Sequence, residues 1–129
     1  TLDEIIFEAN ELIKNEIAVI AISSNDASTH PEDSFEKMKQ LSINKNLPFS
    51  YLYDETQEVA KAYDAACTPD FFGFNSELKL QYRGRLSNKR EKPKELRREL
   101  FLAMTEIANS GKGPLDQIPS MGCSIKWKS

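Results

Sequence analysis

The chemistry this sequence offers rests on two thiols and a proline. Cys67 opens the run Cys67-Thr68-Pro69, and Cys123 lies 123 − 67 = 56 positions further on. A thiolate attacks disulfides and peroxides, and a nearby cation lowers the pKa at which it forms. Cys67 reads either as an accessory thiol beside a reacting pair or as a small buried residue at a helix end, since free cysteine is among the most buried residue types. Cys123, with Lys126 and Lys128 close by, reads either as a resolving thiol or as a plain surface one. A Cys67–Cys123 bridge needs the tail to fold back until the Cα atoms lie within about 7 Å. Two cysteines so spaced make neither a zinc pattern nor a dense disulfide framework. Pro69 has no backbone N–H to donate. It is either an ordinary trans proline that starts a strand or a cis proline in a tight turn.

The other polar groups promise less. His30 is the sole histidine, and with Asp26, Glu32 and Asp33 it sits in one loop where such side chains are mostly solvated, so no metal site is expected. Without a second histidine no Cys–His or Ser–His pair is assignable. Arg83 and Arg85 flank Gly84 at a strand end, and either bind an anionic group or serve as surface charge. Phe71, Phe72, Phe74, Tyr82 and Phe101 read as core.

Elements must position these residues. Leu2, Ile5, Ile6, Ala9, Leu12 and Ile13 recur at helical spacing and predict a helix over 1–15. Ile17 to Ile22 is a continuous branched apolar run, the pattern of a strand buried on both faces in a parallel sheet. The polar loop Ser23 to Glu32 lies just past that strand's C-terminal end, where ligands and chemistry gather in open α/β sheets. A second helix is expected from Asp33 to Asn44 and a short strand from Phe49 to Tyr53. Asp54 and Gln57 resemble a capping box, with the carboxylate as N-cap of a third helix that carries Val59, Ala60 and Tyr63 on one face. Phe71 to Phe74 and Leu78 to Arg83 pair as a hairpin. Residues 84–92 form a charged loop, Pro93 suits the first turn of a last helix with Leu96, Leu100, Ala103, Met104 and Ile107 on its buried stripe, and Gly111 ends it. The reading gives one domain over 1–112 and an extended, flexible tail over 113–129.

The helix at 1–15 comes first, yet a buried parallel strand such as 17–22 normally follows a strand–helix crossover. The order therefore predicts either that a strand precedes Thr1, so that the first strand is missing here, or that the helix merely caps one sheet face. The open edges left behind invite pairing with another chain, so an oligomer is one expectation.

Composition closes off other classes. The 129 residues are 40% hydrophobic and 29% charged, as in an ordinary globular domain, and the formal net charge is -3. A mildly acidic, mixed surface lacks the footprint of a nucleic-acid binder. No apolar run approaches the roughly 20 residues of a membrane span.

Four stretches, in order, resemble one family. They are Ile20-Ala21-Ile22-Ser23-Ser24-Asn25-Asp26 with Pro31-Glu32-Asp33-Ser34-Phe35, then Ala65-Ala66-Cys67-Thr68-Pro69-Asp70-Phe71-Phe72, then Tyr82-Arg83-Gly84-Arg85-Leu86, and the ending Pro119 to Lys128. Together they resemble the peroxiredoxin-like branch of the alkyl hydroperoxide reductase and thiol-specific antioxidant superfamily. The resemblance implies a thioredoxin-like α/β sandwich, a mixed sheet flanked by helices, with an extra helix–strand insertion at 33–53. It implies a Cys-x-x-Cys motif at the N-terminus of the first helix, and no such motif occurs in these 129 residues. It assigns Pro69 as a cis-proline and Thr68 as the residue before it, their backbone binding an extended substrate. The implied activity is thiol–disulfide oxidoreduction or thiol-dependent peroxide reduction. It acts on a thiol or disulfide substrate, is reset by an upstream dithiol donor, needs no cofactor, and is placed in the cytoplasm. The alternative is a non-catalytic binding module using the groove beside the proline loop.

Overall fold

The computed structural model describes residues 2–129, which form two compact units. The first unit comprises residues 2–13, 18–66 and 124–129. It opens with helix α1 (Leu2–Lys14), whose acidic first turn (Asp3, Glu4) and basic last turn (Lys14) suit the helix dipole, and which buries Ala9 and Leu12. Strand β1 (Ile20–Ser23) pairs in parallel with β2 (Ser50–Tyr53), Ile22 lying opposite Leu52. The crossover between them holds a 3-10 turn (Pro31–Asp33) and helix α2 (Phe35–Lys45). Ser34 caps α2 by accepting from the Lys37 N–H at 3.3 Å, and Asn46, in the left-handed region at φ 49°, ends it. Helix α3 (Glu58–Ala62) follows β2.

Here the structure corrects the reading of β1 as a strand buried on both faces. Ile20 is 62% exposed and Ile22 also faces outward. The pair β1–β2 is a two-stranded sheet, and among the described residues the face that carries Ile20, Ile22 and Leu52 is only partly covered. Apolar sequence alone reports what a strand is suited to touch, and burial requires that something touch it.

The second unit comprises residues 14–17 and 67–123. The expected hairpin is present: β4 (Phe71–Phe74) pairs antiparallel with β5 (Leu80–Gly84), with an irregularity between Gly73 and Phe74. Helix α4 (Glu99–Ser110) lies on both strands and buries Leu100, Ala103, Met104 and Ile107. Gly111, at φ 78°, ends α4 as expected. Two-residue strands β3 (Cys67–Thr68) and β6 (Cys123–Ser124) pair as a third small sheet.

The last helix starts six residues later than Pro93 suggests, and Leu96 is exposed. Asn88 accounts for this. Its side-chain oxygen accepts from the Arg97 N–H at 2.6 Å, and its amide donates to the Glu95 carbonyl at 3.0 Å. Those bonds take backbone groups that a helix begun at Pro93 needs for itself. The aromatic core is also narrower than expected. Tyr82 is 2% exposed, while Phe71, Phe72, Phe74 and Phe101 are only partly covered. Small sheets flanked by helices, with mixed strand direction, make up a thioredoxin-like fold. Among the described residues no helix is long and apolar enough to cross a membrane.

Candidate functional site

The second unit brings the sequence's sharpest residues together at the start of the hairpin. The Thr68–Pro69 peptide is cis. Proline suits the position because the chain turns here from β3 into β4 and needs no N–H from residue 69. Beyond it the Asp70 carboxylate pairs with Arg83 Nη2 at 3.4 Å, and the Arg83 guanidinium lies 5.1 Å from the Phe72 ring centroid. Cys67 is half-buried and its Sγ lies 3.6 Å from the Ser120 carbonyl. Cys123 is exposed. The tail does fold back to β3, yet both cysteines are free thiols.

The residues from Gly113 onward are fastened along their length. The Gln117 amide donates to the Gln81 carbonyl at 2.8 Å, and the Arg85 N–H donates to the Ile118 carbonyl at 3.0 Å. Ser120 Oγ donates to the Gly84 carbonyl at 2.7 Å, and Arg90 Nη1 to the Met121 carbonyl at 3.1 Å. Gly122 then passes so close to the proline loop that a Cβ built on it falls 2.0 Å from the Thr68 carbonyl oxygen and 3.2 Å from the Pro69 nitrogen. Only glycine fits there. The spacing of Gly122 from Thr68 in sequence gave no hint of this approach.

Arg85 is not surface charge, and the anionic groups it binds are carboxylates of its own chain. Its guanidinium grips Glu99 through Nε at 2.5 Å and Nη2 at 3.1 Å, and Glu91 through Nη1 at 2.9 Å. Both Arg85 and Glu99 are largely covered, and the Glu99 carboxylate raises the guanidinium pKa further above its usual range. Tyr82 donates to the Arg85 carbonyl at 2.6 Å, and its burial pushes the phenol up to about 12.

The first unit holds a separate polar cluster in the loop after β1, the place where ligands were expected. The cluster binds the chain's own tail. Asp54 is buried and accepts from Ser24 Oγ at 2.8 Å, from the Ala60 N–H at 2.9 Å and from the Val59 N–H at 3.3 Å. Burial alone would raise its pKa, but these bonds outweigh burial and hold the carboxyl below the ordinary value of 3.8. The carboxylate thus serves the start of α3, but the capping box is not formed. Gln57, at φ 67° and 2% exposed, turns its amide away, donating to the Ser24 carbonyl at 2.6 Å and the Lys126 carbonyl at 2.9 Å. Its oxygen accepts from the Lys128 N–H at 3.0 Å. Asn25 accepts from the Lys126 N–H, the Asp26 N–H donates to the Lys126 carbonyl, and Ile125 is buried. Hydrogen bonds from Ser28 hold the Asp26 carboxyl below its ordinary range. His30 contacts Thr29 Oγ1, and Asp33 accepts from Asn25. Among the described residues no group of three His, Cys, Asp or Glu side chains is arranged to hold a metal ion.

The model of the AhpC/TSA family matches residues 2–83. The chain belongs to the AhpC/TSA family. Two solved structures share this AhpC/TSA fold at high similarity. One is an uncharacterized conserved protein from Geobacillus kaustophilus, 48% identical, with a TM-score of 0.86 over 97% of this chain and 67% of that one. The other is a hypothetical protein from Sinorhizobium meliloti 1021, 37% identical, with a TM-score of 0.85 over 97% of this chain and 69% of that one. No curated protein matches the sequence. In this AhpC/TSA chain Cys67, Thr68 and Pro69 lie on the turn that leads into β4. The parts that Gly122, Ser120 and Gln57 play went unforeseen.

Proposed function

We propose that the protein to which this chain belongs acts in thiol–disulfide exchange or in thiol-dependent reduction of peroxides, with the Thr68–Pro69 turn as the edge on which an extended substrate lies. The match to the AhpC/TSA family over residues 2–83 carries this reading. In the disulfide reaction a thiolate attacks one substrate sulfur, forms a mixed disulfide and releases a substrate thiol. A second thiol then attacks the mixed disulfide, frees the other substrate thiol and leaves the protein pair oxidised. With a peroxide, the thiolate takes one oxygen to become a sulfenic acid and releases water or an alcohol. The second thiol condenses with it and releases water. In both cases two electrons leave the thiol pair, and a dithiol donor returns them. Cys67 and Cys123 are accessory in this scheme, and Thr68 and Pro69 position the substrate.

The second reading is a binding module that uses the same loop without electron transfer. It is favoured by the lack of any Cys-x-x-Cys in the 129 residues and by the way β3 accepts an extended strand. Insulin reduction and hydrogen peroxide consumption, both driven by dithiothreitol, separate the two. The whole gene product is expected to turn over, while the 129-residue chain stays within about twofold of the uncatalysed rate. Equal turnover by both would move the reacting thiols onto Cys67 and Cys123. No turnover by either would leave the binding module.

A further inference from the structure

We propose that the tail strand at Gly122–Cys123 is a built-in occupant of the proline-loop edge, a strap that an incoming extended substrate must displace. The proposal rests on the reading of Thr68–Pro69 as a substrate-binding edge and adds how that edge is regulated.

A free strand edge offers unpaired backbone N–H and C=O groups to any extended chain. At β3 those groups are taken by β6. The approach is closer than side chains allow, since the position facing the Thr68 carbonyl has no room for a Cβ. The strap is fixed upstream by single polar bonds, from Ser120 Oγ to the Gly84 carbonyl and from Arg90 to the Met121 carbonyl. Met121 and Cys123 are exposed, and the nearest apolar anchor is Ile125, buried two residues beyond Cys123 with its N–H on the Ala66 carbonyl at 3.1 Å. The two-residue pairing opens locally, between its polar moorings upstream and the buried Ile125 downstream, at lower free-energy cost than the hairpin behind it. The Cys67 thiol lies against the Ser120 carbonyl, so its reactivity reports whether the strap is closed.

Gly122→Ala places a methyl group against the Thr68 carbonyl and should lift the strap while the hairpin stays intact. In the full chain, amide exchange at Thr68 and Cys123 is expected to quicken together by about tenfold, with Tyr82 unchanged. In a Cys123→Ser background, iodoacetamide should alkylate Cys67 about fivefold faster when Gly122→Ala is added. A synthetic peptide Pro119-Ser120-Met121-Gly122-Cys123-Ser124, with its cysteine blocked, should then slow alkylation in the Gly122→Ala protein by about threefold and leave the glycine protein unaffected. Should Gly122→Ala fail to fold, Ser120→Ala removes one mooring and is expected to give the same changes at smaller amplitude. Unchanged exchange at Thr68 in a folded variant would overturn the strap and leave the substrate edge standing. Faster exchange with no protection by the peptide would overturn the substrate edge and the proposal with it.

Discussion

Replacing Asp54 by alanine is expected to lower the unfolding free energy of this chain by about 3 kcal/mol. The carboxylate is buried and holds three donors, Ser24 Oγ and the N–H groups of Val59 and Ala60. Alanine removes the cap of α3, typically about 1 kcal/mol. It also strips partners from buried donors, at about 1–3 kcal/mol for each that water cannot reach. Asparagine keeps one acceptor oxygen and should cost about half as much. Urea titration followed by Trp127 fluorescence reads the difference, since Trp127 belongs to the tail that the same cluster fastens through Gln57. The folded carboxyl sits below its ordinary value of 3.8, so the unfolded chain binds the proton more readily. The stabilisation is therefore complete above that ordinary value and is lost as the pH falls through the folded one. Asp54→Asn should flatten this acid limb, and an unchanged limb would place the acid sensitivity elsewhere.

Arg85→Met should cost about 3 kcal/mol, because it leaves the Glu99 carboxylate covered and without its bidentate partner. Glu99 opens α4, where a negative charge is favourable, so the helix dipole softens the loss without cancelling it. The second variant decides the cause. Glu99→Gln added to Arg85→Met removes the stranded charge and should return the protein to within about 1 kcal/mol of its starting stability. A single variant within about 0.5 kcal/mol of the parent would make Arg85 the surface charge its sequence context suggests.

How much of this was legible in the sequence follows from the range of the interactions involved. Local signals did well. Alternation and turn residues placed the hairpin, and Gly111 ended α4. Interactions between residues far apart in the chain were not legible. Gln57 looks like half of a capping box because Asp54 lies three residues before it, yet its amide reaches Lys126, 69 positions away. Gly122 has nothing around it in sequence to mark it as the residue pressed against Thr68. Asn88 delays α4 through two bonds to a loop that composition describes only as charged. Ile20 and Ile22 show the opposite failure, where a correct strand signal was extended to a burial that the described residues do not supply.

Under the proposed function the proline loop is a positioning element, and Cys67 and Cys123 stand outside the electron transfer. The most direct test is steady-state insulin reduction by the whole gene product carrying Cys67→Ser and Cys123→Ser together. Turnover within about threefold of the parent is the predicted result, and a loss of about a hundredfold would put the chemistry on these two thiols and contradict the account.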